Sequence, residues 1–175
     1  MHSRIYGLRL VTDDINKDFD VISDNQLDFE RCQGFADYID GVEQKDWREN
    51  IAWLHGNYSG SITTIEDKGI FYLQVSKAGL LNELKKDFLT YKSLVRKLKF
   101  EDFVNIYSSV SYEIKSALDD NTGFHVLSLW SATDDAGGGD LDTYQGFMRT
   151  CLFHMNRHNL DSITFRVEGV IDYHF

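Results

Sequence analysis

Ile163, Phe165, Val167, Gly169, Ile171, Tyr173 and Phe175 occupy successive odd positions, while Ser162, Thr164, Arg166, Glu168, Asp172 and His174 lie at even ones. Side chains on a strand alternate between faces, so an apolar period of two admits a strand here and excludes a helix, whose period is 3.6. A lone strand leaves its backbone groups unpaired, so other segments must build a sheet around it. Arg4 to Thr12 alternates in the same way, with Tyr6, Leu8 and Leu10 on one side and Ile5, Gly7, Arg9 and Val11 on the other. Ile62 to Ile65 and Ile70 to Val75 flank Glu66-Asp67-Lys68-Gly69 and predict a hairpin. Phe124 to Ala132 is apolar on both sides, as an interior strand is.

Three segments carry the helical period instead. Leu80, Leu81, Leu84, Phe88, Tyr91, Val95 and Leu98 fall on one helical stripe, with bases on the opposite side. Phe103, Tyr107, Val110, Ile114, Ala117 and Leu118 draw a second stripe, stopped by the turn-forming run Asp119-Asp120-Asn121-Thr122-Gly123. Leu141, Tyr144, Met148, Cys151, Leu152 and Met155 draw a third, from about Leu141 to His158, with Asp140 or Asp142 expected to cap it after a glycine-rich connector. The chain contains no proline, where ordinary usage of ~5 % would give about nine, so nothing kinks these helices. Strands and helices are grouped without alternating strictly. The pattern predicts an α+β fold, a single domain over residues 1–175, with a mainly antiparallel sheet covered on one face by about three amphipathic helices. At 175 residues, 42 % hydrophobic and 14 % aromatic, the chain can bury one core and is not a disordered tail.

The net charge is −10, unevenly placed. Residues 1–69 hold 14 acids and 7 bases, 70–118 hold 5 and 8, and 119–175 hold 9 and 3. The acidity is concentrated from Asp13 to Glu49, where twelve acids meet four bases and Phe19, Phe29, Phe35, Tyr38 and Trp47 are interspersed. Such a field repels nucleic acid and anionic lipid at long range and attracts a basic protein surface. No run approaches the ~18 apolar residues of a membrane span, and the first residues alternate like a strand and do not form a basic segment followed by an apolar block. Cys32 and Cys151 lie far apart without a CxxC pattern, which suits free thiols in a cytoplasmic protein.

Chemistry-bearing motifs are sparse. Cys151, His154 and His158 form a CxxHxxxH run whose side chains share one side of a helix, so a thiolate and two imidazoles could grip a transition metal. Cys151 also lies on the apolar stripe, and no glutamate accompanies the histidines as in HExxH. The loop from Asp134 to Asp142 holds four carboxylates, yet a calcium loop begun at Asp134 meets Ala136, Gly138 and Gln145 at its third, fifth and twelfth positions. Its three glycines lack the GK[ST] ending of a phosphate loop. Gly56-Asn57-Tyr58-Ser59-Gly60 is not GxSxG, because the first glycine comes one residue too early. The bases Lys77, Lys85, Lys86, Lys92, Arg96, Lys97 and Lys99 could follow a phosphate backbone, but Phe88 and Tyr91 belong to the stripe expected to be buried, so no aromatic side chain is expected among them.

These observations lead to a functional expectation: a non-enzymatic, cytoplasmic protein that binds and neutralises a basic partner, of the kind represented by immunity proteins to nuclease-like bacterial toxins. Asp13, Asp14, Asp18, Asp20 and Asp24 would imitate a phosphate backbone and steer the partner inward, and Phe19, Phe29, Tyr38 and Trp47 would anchor it. No cofactor, catalytic residue, membrane or direct nucleic-acid contact is expected. The alternative is a small metal-dependent enzyme or metal-binding protein using Cys151, His154 and His158.

Overall fold

The computed structural model describes residues 2–11, 38–105, 107–118, 124–130 and 140–174. Seven strands form one mixed sheet: β1 (His2–Leu10), β2 (Tyr38–Gly41), β3 (Ile62–Asp67), β4 (Ile70–Ser76), β5 (Phe124–Leu129), β6 (Asp140–Thr143) and β7 (Ser162–His174). The helices are α1 (Trp47–Tyr58), α2 (Lys77–Lys97), α3 (Phe100–Val104), α4 (Ser109–Leu118) and α5 (Tyr144–His158). The strand order is β3-β4-β7-β1-β5-β6, and β2 pairs with β7. All pairings are antiparallel except β1 with β5. The α+β single-domain fold is the one the hydrophobic patterning predicts.

The alternating segment 162–174 is the spine. β1 runs along one edge of β7, while β4 takes Ser162–Arg166 and β2 takes Ile171–His174 on the other. Pairing with β1 steps from Gly7↔Gly169 to Leu8↔Val167, which leaves Glu168 as the extra residue of a β-bulge. One inserted residue reverses the side on which later side chains fall. Ile163, Phe165 and Val167 therefore join the helix-side core, as does Val170 beyond the bulge, while Ile171 and Tyr173 are buried on the reverse side of the sheet with Ile5 and Leu127. The strand is as expected, but the odd positions do not share one face throughout.

The hairpin closes at Lys68-Gly69, with φ of 51° and 79°, the double left-handed turn whose twist matches that of paired strands. Ser76 caps α2 by accepting from the Gly79 N–H. Thr143, and neither Asp140 nor Asp142, caps α5 by accepting from the Gly146 N–H, because β6 continues through Thr143 and the helix starts only at Tyr144. Trp47, Ile51 and Leu54 of α1, Leu80 of α2, and Tyr144, Phe147, Met148, Cys151, Leu152 and Met155 of α5 pack on Tyr6, Leu8, Leu73, Val75, Val126 and Phe165 of the sheet. Three helices thus cover this face, α1 taking the place expected for the 103–118 segment. That segment divides into α3 and α4: α4 packs on α2, α3 packs on α4, and Phe100, Phe103, Val104 and Tyr112 stay exposed.

Candidate functional site

A cleft of about 720 Å³ opens where the C-terminal end of α1 meets the first turns of α2 and α5. Gly79 allows the approach: a Cβ there would stand 2.0 Å from the Gly60 carbonyl oxygen and 2.6 Å from the Ser61 Cα, so only glycine lets α2 rest against the turn after α1. Ser61 is fixed at both backbone ends, its N–H donating to the Tyr58 carbonyl at 3.0 Å and its carbonyl accepting from the Ser76 N–H at 2.8 Å. Its hydroxyl, itself buried, lies 2.6 Å from Glu83 Oε1 and 3.3 Å from the Tyr144 hydroxyl. Glu83 Oε2 is shielded from solvent and has no hydrogen-bond partner among the described residues.

The electrostatics follow from this packing. Burial lifts the Glu83 carboxyl above its ordinary range, the Ser61 hydrogen bond opposes the rise, Asp87 one turn along adds to it, and Lys86 and the Tyr144 hydroxyl oppose it. Burial likewise pushes the Tyr144 phenol upward. The Tyr58 and Tyr144 rings lie with centroids 3.9 Å apart, and Asn57, Asn82, Gln145, Lys85, Lys86 and Asp87 complete the polar lining. A carboxyl, a hydroxyl and a phenol thus meet one another in the buried wall beneath the cleft.

A second surface is the arm formed by α2, α3 and α4. At 21 residues α2 is about 31 Å long, and of its residues only Gly79 and Leu80 are buried. Phe88, Leu89 and Val95 are exposed, and Phe100, Phe103, Val104, Tyr107 and Tyr112 beyond them are 63–89 % exposed. The apolar stripe expected to lie in the core is thus half outside it, because the helix overruns the sheet it starts from. Lys85, Lys86, Lys92, Arg96, Lys97 and Lys99 are exposed on the same arm, with Lys92 Nζ 5.6 Å from the centroid of the Phe88 ring. Aromatic and basic side chains are therefore interspersed here, contrary to the expectation drawn from the stripe.

The residues singled out from the sequence are not gathered into one described site. Asp13, Asp14, Asp18, Phe19, Asp20, Asp24, Phe29 and Cys32 lie outside the described residues, as does the loop 131–139. Tyr38 opens β2 against His174. Trp47 is buried, and its indole N–H donates to the Val42 carbonyl at 2.8 Å. It is a core residue at the start of α1 and not an exposed anchor, since the four-residue spacing to Ile51 puts both on the sheet-facing stripe.

The CxxHxxxH run is divided by burial. Cys151 is a free thiol in the core, its pKa raised by burial, whereas His154 and His158 line a shallow hollow with Leu10, Leu160 and Thr164. The two imidazole centroids are 4.5 Å apart, and His154 also lies against Trp130. Burial holds His154 below its ordinary pKa, with His158 and Arg157 adding to the effect. Among the described residues no group of three or more His, Cys, Asp or Glu side chains is arranged to hold a metal ion. Helical spacing places all three side chains on one side of α5, and the packing then separates Cys151, in the core, from the two histidines at the surface.

Among the described residues no helix is long and apolar enough to cross a membrane. No protein-family model, no curated protein and no solved structure matches the chain.

Proposed function

We propose that this protein acts by binding and neutralising another protein, as immunity proteins do for bacterial toxins. The observation that carries this reading is the arm: Phe100, Phe103, Val104, Tyr107 and Tyr112 expose large apolar side chains together on helices that project from the sheet. Large apolar side chains left exposed along one stretch of chain mark sites of protein contact, and aromatic side chains dominate binding energy once desolvated. The net charge of −10, concentrated between Asp13 and Glu49, supplies attraction toward a basic partner, with Asp13, Asp14, Asp18, Asp20 and Asp24 as its steering carboxylates. Anchoring falls to the arm in place of Trp47. The reading sets the protein in the cytoplasm, where a free buried thiol such as Cys151 persists.

Co-expression with a basic toxin encoded beside this chain tests the reading. Restored growth and a stable complex are expected, with an association rate that falls about tenfold from low to physiological salt. Replacing Phe103 and Tyr107 by serine should weaken the complex at least tenfold, roughly the loss of one modest hot spot. A rate indifferent to salt removes the steering role, and unchanged affinity of the double variant removes the arm.

The pairing of Lys92 with the exposed Phe88 ring favours one second reading, in which the arm holds single-stranded nucleic acid by stacking and charge. A gel shift at low salt that disappears on charge reversal at Lys85, Lys92 and Arg96 would favour it. Absence of any shift ends it.

A further inference from the structure

We propose that His154 and His158, without Cys151, form a two-histidine site for a divalent transition-metal ion, copper(II) in particular. The two residues stand four apart in the last turns of α5, the spacing that sets two imidazoles side by side on one helix face, as in the paired histidines of helical metal sites. An ion about 2.0–2.1 Å from a ring nitrogen lies about 3.2 Å from that ring's centroid, so two bonds at right angles hold the centroids about 4.5 Å apart and two tetrahedral bonds about 5.2 Å. The separation in the protein is 4.5 Å. Nitrogen donors at right angles suit tetragonal ions, and copper(II) also heads the affinity order of the first-row divalent ions for such donors.

The surroundings keep the pair open. Neither imidazole is hydrogen-bonded to a described residue, so no ring nitrogen has to be released before it binds. The His154 ring lies against Trp130, 5.3 Å between centroids, and Trp130 is itself held, its indole N–H donating to the Ser128 hydroxyl at 3.0 Å and its ring meeting Phe165 edge-on. One ligand is thus positioned before any ion arrives. The hollow that the pair lines has a volume of about 520 Å³, and the Ser162 and Thr164 hydroxyls that share it suit hydrogen bonds to water on the ion. Among the described residues no carboxylate lines it, so magnesium and calcium, which require oxygen ligands, gain little there. Arg157 is exposed, and solvent screens its repulsion of a cation. None of these residues belongs to the arm, so ion binding does not depend on the protein-binding reading.

The test uses the full chain carrying Cys32→Ser, which keeps copper from that thiol. Copper(II) is titrated by calorimetry and, in parallel, against the amide NMR signals, because a paramagnetic ion broadens the signals of nuclei near it. Binding with a Kd at or below about 10 µM is expected, with broadening at residues 10–11 and 154–164 and at the Trp130 indole N–H. Zinc should bind at least about tenfold more weakly, and magnesium not at all. His158→Gln, at an exposed position, should lower the copper affinity at least about tenfold and remove that broadening, while His55→Gln on α1 should leave both unchanged. Absence of saturable binding below about 1 mM copper overturns the proposal. So does broadening of residues 154–164 that persists unchanged in His158→Gln, or magnesium bound as tightly as copper.

Discussion

Arg9 Nε donates to Glu168 Oε2 at 2.8 Å, and both side chains are almost completely buried on the sheet face opposite the helices. Glu168 is the extra residue of the β7 bulge, and its second oxygen accepts from Arg166, the cross-strand neighbour of Arg9. The bulge therefore turns one carboxylate toward two guanidinium groups. Glu168→Ala should destabilise the protein by about 3–5 kcal/mol, because it leaves buried positive charge without its carboxylate. Arg9→Met, Arg166→Met and Glu168→Leu introduced together should recover most of that loss. Urea denaturation of the single and triple variants measures both, and a single variant within about 1 kcal/mol of the parent would refute the ionic account.

Two glycines should respond in opposite directions. Gly79→Ala forces a methyl group into the Gly60 carbonyl and should cost about 2 kcal/mol or more. Gly56, inside α1, has nothing within 4 Å of a built Cβ, so Gly56→Ala should add about 0.5–1 kcal/mol through helix propensity. Thermal unfolding of both variants checks the contrast.

Glu83 imposes a pH dependence whose sign is fixed by its environment. Its folded pKa is raised from 4.5, chiefly by burial and against the pull of Ser61, so the folded state holds this proton more tightly than the unfolded chain. The associated stability is present below the unfolded value and is lost as pH rises through the folded one. Compared with Glu83→Gln, the parent should lose stability as the pH rises above the unfolded value of 4.5 and through the raised folded one. Denaturant midpoints of the two proteins across that window test this, and parallel curves would contradict it.

His154 works in the other direction. Its pKa is lowered from 6.5, first by burial and then by His158 and Arg157, so the unfolded chain binds the proton more readily. Stability present above the unfolded value is lost as pH falls through the folded one. His158→Gln should raise the His154 pKa, read from the imidazole proton shift in an NMR titration. An unchanged value would mean that His158 contributes nothing and that burial and Arg157 set it.

Cys151 should resist alkylation until the protein unfolds, since burial both covers the sulfur and disfavours the thiolate. In a Cys32→Ser background, iodoacetamide labelling should track global unfolding by denaturant. Rapid labelling of the native protein would contradict the placement of Cys151 in the core.

The elements that were legible in the sequence are those whose pattern is local. Alternation marked β1 and β7, the Lys68-Gly69 turn marked the hairpin, and the stripe from Tyr144 to Met155 marked α5. α1 is harder to see: Trp47, Ile51, Leu54 and Tyr58 keep helical spacing, but the helix begins inside the acidic run that ends at Glu49, which obscures the apolar period. Nor was the change of face at Glu168 visible, since a bulge is a property of two paired strands. The length of α2 was readable, but not its overhang, which depends on where the sheet ends. The cleft was the least accessible feature: Ser61, Glu83 and Tyr144 come from three separate segments and meet only because Gly79 lets α2 approach the turn after α1.

The position of β1 also has a consequence for biosynthesis. It is the earliest of the described strands, yet its two hydrogen-bonded neighbours begin only at Phe124 and Ser162. At translation rates of ~5–20 residues per second, roughly ten to thirty seconds pass before a ribosome has made the second neighbour. Until Phe124–Leu129 is made the backbone of Ile5 to Leu10 lacks both native neighbours, and until Ser162–His174 is made it lacks the second. A nascent chain with this topology needs protection on the ribosome, and truncated products lacking β7 are the species that a cell's chaperones and proteases would have to clear.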